Sequence, residues 1–213
     1  MIRIEKASYE AIKYACKYFH YAGHPPTGNM IGYSLFENDE WCGVVIFGSG
    51  ASPNIGKPYG LKQGEIMELT RMALNGKQTT TSQVMMACVK QLKKDAPLCK
   101  LLVSYADIDQ NHLGIIYQAT NWIYTGETTK NKVSAYIING RKIHNRSVMG
   151  YKQRIPHPKD MSVIDFVRKY LDPNGKEFIT KGKQKYLMPL DKKLRKNLMQ
   201  LSKPYPKIMQ HNG

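Results

Sequence analysis

Acidic residues are scarce in this chain. Sixteen Asp+Glu stand against 32 Lys+Arg, leaving a net charge of +16 over 213 residues. A field of that sign excludes a cationic partner and attracts polyanions, with nucleic acid the first candidate. A membrane surface comes second, but no stretch carries the basic amphipathic pattern with a broad apolar face that interfacial anchoring needs. Surplus lysine also serves solubility, and composition alone leaves that reading open. Long apolar runs are missing too. No run of about 18 apolar residues occurs, so no membrane-spanning helix is expected. MIRIEKASYE lacks the apolar core of a secretory signal, so a cytosolic protein is expected. Cysteine is limited to Cys16, Cys42, Cys88 and Cys99, with no CxxC pair. The clustered spacing of a zinc site is therefore lacking, and buried free thiols are expected. No internal repeat or low-complexity tract is evident.

What is present suffices for a packed core. Hydrophobic residues make up 42% of the chain, enough for one large domain or a domain plus a tail. Ile12, Ala15, Cys16 and Phe19 recur at helical spacing over Tyr9 to Phe19, and His24-Pro25-Pro26 cannot continue that helix. Asn29 to Phe36 and Trp41 to Phe47 read as a hairpin around Glu37-Asn38-Asp39-Glu40. Gly48 to Gly64 reads as a long loop. Glu65 to Leu74 is a strand, and Val84, Met85, Cys88, Val89 and Leu92 form one face of a helix after it. Leu101 to Tyr105 is a continuous apolar strand of the buried-sheet type. Leu113 to Trp122 reads as a short helix, and Ile123-Tyr124 and Ser134 to Ile138 as later strands. Asp160 to Leu171 reads as a helix capped by Asp160 or Ser162. This order predicts an α/β (α+β) fold with a mixed sheet covered by helices. The composition shifts beyond about Arg141. Residues 1–150 are expected to form the main domain and 151–213 a basic C-terminal extension.

Several residue groups have the chemistry of a site. NGKQTTTSQ, residues 75–83, opens a helix whose first amides and dipole can hold phosphate. Gly76 allows close approach there, Thr80 and Ser82 supply hydroxyls, and Arg71 precedes the turn. Hydroxyls at a helix start are also ordinary caps. His20 and Tyr21 close the first helix; imidazole and phenolate are iron ligands, and His is a base, though a lone His also serves structure. Asp107 stands past the end of a buried strand, where α/β sheets place ligands, or where a carboxylate caps a turn. Tyr117 faces the same cleft or packs. His112 and His144 stay ambiguous. Residues 181–207 hold nine Lys/Arg and one acid. Lys181, Lys183, Lys185, Lys192, Lys193, Arg195 and Lys196, with Tyr186 and Tyr205 among them, suit phosphate contacts plus base stacking. A solvated C-terminal helix is the alternative.

FHYAG (19–23), ELTRMAL (68–74), VSYADIDQNHLGIIYQATNWIYTG (103–126), HNRSV (144–148) and KYLMPLD (185–191) resemble the Mom DNA-modification proteins of bacteriophages. The likeness runs from about residue 15 to PYPK at 204–207. It implies a fold like that of the GNAT superfamily of acetyl-CoA-dependent N-acyltransferases. In that superfamily the cofactor pyrophosphate sits between a splayed fourth strand and the following helix, here Leu74 to Gln83. The usual Q/R-x-x-G-x-G/A signature is replaced here by one glycine and hydroxyls. The resemblance implies conversion of adenine in DNA to N6-carbamoylmethyladenine, protecting phage DNA from host restriction endonucleases in the cytoplasm of the bacterial host. It also implies iron and an acetyl-CoA or related acyl donor as cofactors. The residues carried over by motif are His20, Tyr21, Arg71, Ser82, Asp107 and Tyr117. A metal held by His20, Tyr21 and Asp107 follows as an expectation. Double-stranded DNA is the expected partner, with the adenine flipped out because duplex stacking buries it. Two other readings remain: a GNAT-like acyltransferase acting on another amine, and a non-catalytic DNA-binding protein.

Overall fold

A computed structural model describes residues 1–50, 52–128 and 130–207. The elements in chain order are β1 (Ile2–Lys6), α1 (Tyr9–Phe19), β2 (Met30–Glu37), β3 (Glu40–Gly48), β4 (Ile66–Leu74), α2 (Thr81–Asp95), β5 (Leu101–Asp107), α3 (Ile115–Ala119) and β6 (Ile123–Glu127). They continue as β7 (Lys132–Ile138), β8 (Arg141–His144), α4 (Asn145–Arg154), α5 (Val163–Tyr170), β9 (Lys176–Thr180), β10 (Lys183–Pro189) and α6 (Lys192–Leu198). The fold is mixed α/β, as the alternation of helical and strand patterns predicts. No helix among the described residues is long and apolar enough to cross a membrane.

The chain divides into two compact units. One comprises residues 1–106, 112–126 and 184 onward; the other comprises 107–111 and 127–183. This division differs from the expected split at residue 150. The reason lies in β10, which carries Lys183, Lys185 and Tyr186. It is a strand of the central sheet, not part of an extension.

The first unit is built on a seven-stranded sheet of order β1-β2-β3-β4-β5-β10-β6. Ser8 caps α1 by accepting the Ala11 amide, and the helix buries Ile12, Ala15 and Cys16 against the sheet. The β2–β3 hairpin turns on Asn38 and Asp39, both at positive φ (51° and 65°), the two-residue geometry that matches strand twist. Tyr33, Leu35, Phe47, Val84, Met85, Cys88, Leu92 and Trp122 are buried together under α2. Ile66, Leu101, Val103, Ile123, Leu187 and Leu198 form a second cluster. All four cysteines are buried free thiols, as their spacing predicts.

Two irregularities of β4 position the site. Ile46 pairs with Arg71 and Phe47 with Leu69, so Thr70 is an extra residue in β4, and its hydroxyl donates to the Ile46 carbonyl (3.1 Å). Such a bulge re-aims the side chains beyond it. The parallel pairing of β4 with β5 runs only from Ile66–Leu101 to Glu68–Val103. Past that point the ladder stops and the strands part. A splayed strand pair is what the resemblance to the N-acyltransferases implies.

Gly114 sets the approach of α3. Its φ is +72°, and a Cβ there would lie 2.9 Å from the Tyr117 ring and closer still to Tyr186. Gly114→Ala should therefore destabilise the chain by about 1–3 kcal/mol through overpacking. A denaturant midpoint unchanged from wild type would refute that close contact.

The second unit holds the antiparallel sheet β8-β7-β9. Tyr136, Ile138, Val148 and Val167 form its core. Ser162, one of the two cap candidates, caps α5 by accepting the Asp165 amide. His144 caps α4: its Nδ1 accepts the Arg146 amide (3.1 Å). Burial, with Arg146, Lys183 and Lys142, holds the His144 pKa down.

Candidate active site

The first unit gathers His20, Tyr21, Arg71, Ser104, His112 and Tyr117. α1 stops at Phe19, and His20 turns out of it with extended dihedrals (φ −132°, ψ 133°). Its Nδ1 accepts the Ala22 amide (3.1 Å). The neutral ring must then carry its proton on Nε2. Burial, then Arg71, His112 and His24, push the His20 pKa down to about 4. At neutral pH this side chain is an uncharged imidazole presenting Nε2–H, a hydrogen-bond donor. The expected base role gives way to that of a donor, because the lone pair on Nδ1 is already engaged. Tyr21 stacks on His20 (centroids 4.4 Å, 29°) and meets His112 edge-on (5.7 Å, 73°).

The His20 shift has a measurable consequence. A pKa lower in the folded than in the unfolded chain means that the unfolded chain binds the proton first as pH falls. Stability should therefore decline from about pH 6.5 toward 4. The depressed carboxyls of Glu37 and Glu65 lose their contribution only at lower pH. His144 adds to the His20 window in the same direction. His20→Gln should flatten part of the fall in Tm between pH 6.5 and 4.5; a curve parallel to wild type would exclude the burial of a neutral His20.

Tyr117 is the second pole of the site. Ser104, fully buried on β5, lies 2.9 Å from the Leu69 carbonyl and 2.8 Å from the Tyr117 hydroxyl oxygen. One serine proton cannot serve both, and a carbonyl only accepts. With Ser104 donating to Leu69, the phenol donates to Ser104. Burial raises the Tyr117 pKa to about 12; the Ser104 contact lowers it, and Tyr21, Glu68 and Tyr186 raise it. Tyr117 is held as a neutral phenol. Its ring packs on Trp122 and Tyr186, each 5.0 Å away.

Arg71 contributes a fixed charge beside His20. Its Nη1 donates to the Thr70 carbonyl (2.8 Å), while its Nε is buried with no partner among the described residues. A buried N–H without a partner costs about 1–3 kcal/mol. A carbonyl or anionic group placed against Arg71 would recover that cost. Glu68, one bulge earlier on β4, acts on both Tyr105 and Tyr117 and raises their pKa values, after burial. In ELTRMAL its position beside Leu69, Thr70 and Arg71 gives no signal for this; only the fold brings its charge to bear on the tyrosines.

Three expected assignments are corrected. Tyr186 cannot stack on DNA: it is fully buried beside Tyr117 and Tyr124, and its hydroxyl donates to the Leu113 carbonyl. Asp107 belongs to the second unit, where its carboxylate accepts the Asp109 amide (3.0 Å) and caps a short turn. Finally, nothing in the structure supports iron at His20, Tyr21 and Asp107. Among the described residues no three His, Cys, Asp or Glu side chains come together to hold a metal, and both His20 Nδ1 and the Asp107 carboxylate are already engaged.

The residues around α2 fit an acyl donor better. Thr80 occupies the N-cap of this 15-residue helix without making a side-chain cap bond. Gly76, at φ +82°, has open space where a side chain would stand. Ser82 lies in the first turn. One amide of the loop is taken, since Thr79 N donates to the Glu37 carboxylate (2.7 Å).

Of the other basic candidates, Lys192, Lys193 and Lys196 are exposed on α6, and Arg195 donates to the Asn121 carbonyl (2.9 Å). Lys181 and Lys183 are exposed; Lys185 is half-buried with its ammonium over the Tyr59 ring, 5.1 Å from the centroid.

Solved structures similar to the chain include three acetyltransferases. One from Bacillus subtilis in complex with CoA shares 9% identity, at a TM-score of 0.45, over 90% of this chain and 100% of its own. A probable acetyltransferase from Staphylococcus epidermidis shares 10%, at 0.46, over 90% and 100%. A GNAT family acetyltransferase from Elizabethkingia anophelis with acetyl-CoA bound shares 12%, at 0.40, over 89% and 98%. Likeness at this level carries no statement about activity. No curated protein matches the chain. The Mom protein family, by contrast, matches residues 1–207, nearly the whole length, and the chain belongs to that family.

Proposed function

We propose that the protein is a transferase that modifies adenine in DNA, converting it to N6-carbamoylmethyladenine and so protecting the DNA from restriction endonucleases. The observation that carries this reading is the convergence of the family's motif residues. His20 and Tyr21, Arg71, and Tyr117 lie far apart in sequence, yet all belong to the first unit; Tyr21 stacks on His20, Arg71 helps lower the His20 pKa and Tyr21 helps raise that of Tyr117, which supports a shared site.

The chemistry of the product supports the same set. The exocyclic amine of adenine is a weak nucleophile, because its lone pair is delocalised into the ring. The product joins that nitrogen to a methylene carbon, so as the C–N bond forms the nitrogen gives up a proton and the carbon gives up a leaving group. We assign that proton to the Glu68 carboxylate, whose charge acts on Tyr105 and Tyr117. His20 Nε2–H and the Arg71 Nε–H are donors for the carbonyl of the incoming group. Preorganised donors of this kind each contribute about 10²–10³ in rate. Tyr21, stacked on His20 and largely exposed, offers a face to a flipped base. Arg71, on β4, with Gly76, Thr80 and Ser82 at the start of α2, would hold the phosphates of an acyl-CoA-type donor; acyl transfer from a thioester alone would give an N-acetyl amide, so the carbamoylmethyl group needs a donor that carries its leaving group on the methylene carbon. Lys181, Lys183, Lys192, Lys193 and Lys196 are the phosphate contacts of this reading.

A restriction challenge tests the proposal. DNA from cells expressing the protein should resist endonucleases whose sites contain adenine. Complete digestion, with the folded protein present, would contradict it.

A further inference from the structure

We propose that the outward face of α1, completed by Trp41, is a docking surface for an unpaired strand of DNA that leads into the His20–Tyr21 end of the same helix. The inference rests on the DNA reading above and adds to it a surface that no motif marks.

Helix α1 buries Ile12, Ala15 and Cys16, which leaves its other face to solvent. That face is aromatic where a solvated helix would be polar. Tyr9, Tyr14 and Tyr18 are 62%, 52% and 58% exposed, and Tyr21, just beyond the end of the helix, is 55% exposed. Tyr14 lies 4.6 Å from Tyr18 and 5.8 Å from Trp41, centroid to centroid. Together with Lys13, Lys17 and Glu10 they line an open groove of about 650 Å³. The Lys17 ammonium stands 4.9 Å from the Tyr18 ring centroid.

Exposed large rings gain nothing from water, so a contiguous row of them marks a binding surface. Its chemistry selects the occupant. Lys13 and Lys17 repeat one turn apart beside Tyr14 and Tyr18, so cation and ring alternate at helical spacing. Single strands are held in this way, with aromatic faces against bases and ammonium groups against phosphates. An intact duplex hides its base faces in the stack and offers these rings nothing. Glu10 is the one acid in the groove, and the chain's +16 charge favours a polyanion. The surface has few directional donors and acceptors, so it is tolerant of sequence. An enzyme that extrudes a base from a duplex leaves unpaired neighbours beside it. The α1 face, on the helix that His20 and Tyr21 follow in sequence, is the surface that would hold those neighbours.

Tryptophan emission reads this contact directly, because the other tryptophan, Trp122, is fully buried. The full chain is titrated with a short oligodeoxythymidylate and with a fluorescein-labelled copy of it for anisotropy. Saturable quenching of Trp41 is expected, and a blunt duplex should quench it far less. Tyr14→Ala combined with Tyr18→Ala should weaken the oligonucleotide at least about tenfold. Lys13→Gln with Lys17→Gln should lower the salt slope by about 1.4, two phosphate contacts of a single strand. Trp41→Phe should lose the optical signal and retain most of the affinity, which separates contact from misfolding. Unquenched Trp41 while anisotropy reports binding, or wild-type affinity in the double tyrosine variant, would overturn the surface assignment. Those results would leave the modification reading intact. Quenching and tyrosine-dependent binding without adenine modification in cells would do the reverse.

Discussion

His20→Ala should lower adenine modification by about 10²–10³ while leaving the protein folded, the cost of removing one preorganised donor. The size follows from what the ring supplies. Its pKa is pushed down to about 4 by burial and by Arg71, His112 and His24. Its Nδ1 accepts the Ala22 amide, so Nε2–H points outward as a donor at neutral pH. A neutral donor near a guanidinium polarises a carbonyl without adding a second positive charge. The conservative variant separates this role from that of a base. Glutamine places an amide N–H near the Nε2 position but cannot take a proton. His20→Gln should therefore recover a measurable part of the lost rate, whereas a base would be lost equally in both variants. Equal loss in alanine and glutamine variants, each shown to be folded, would refute the donor assignment.

Trp122→Ala should cost about 3–5 kcal/mol of stability, the range for removing a large buried aromatic. A domain of this kind holds about 5–15 kcal/mol in all, so the variant should unfold at a markedly lower denaturant concentration. Trp122 is fully buried, joins the main core cluster and packs 5.0 Å from Tyr117. The loss should therefore reach function as well, because Tyr117 would lose the ring that fixes its orientation. Trp122→Phe keeps most of the packing and should retain both stability and modification better. A midpoint for Trp122→Ala within about 1 kcal/mol of wild type would show that Trp122 is not part of the core.

The contrast between these two residues shows what the sequence makes legible. The first helix and α2 follow from apolar residues at helical spacing that bury one face, and the hairpin, β4 and β5 from apolar runs that the sheet buries. Lys183 to Pro189 did not yield to that reasoning. Its lysines add to the charge run 181–207, and the alternation of exposed Lys183 and buried Gln184 with half-buried Lys185 and buried Tyr186 shows only when strand pairing is known. Gln184 is buried because the Tyr124 hydroxyl donates to it, a partnership sixty residues distant in sequence. β8 and α4 were hidden for a similar reason: Arg141 to Arg154 is mostly polar, and Val148 alone is buried in α4.

The site divides in the same way. FHY, LTR and IYQA mark His20, Tyr21, Arg71 and Tyr117, and the fold brings these together in one unit. Asp107 stood at the expected strand end, but a carboxylate two residues from a free amide caps a turn, and that local bond won. Glu68 lacked any spacing signal, because only the bulge at Thr70 and the splay of β4 from β5 define which β4 side chains face the opening. The aromatic face of α1 was hidden behind the apolar face that made the helix recognisable.

The measurement that tests the central claim most directly is mass spectrometry of nucleosides from DNA of cells expressing the wild-type chain, beside His20→Ala expressed to the same level. The account predicts a deoxyadenosine heavier by one carbamoylmethyl group in the first sample and its near absence in the second. Unmodified deoxyadenosine in both, with the wild-type protein folded and abundant, would contradict it.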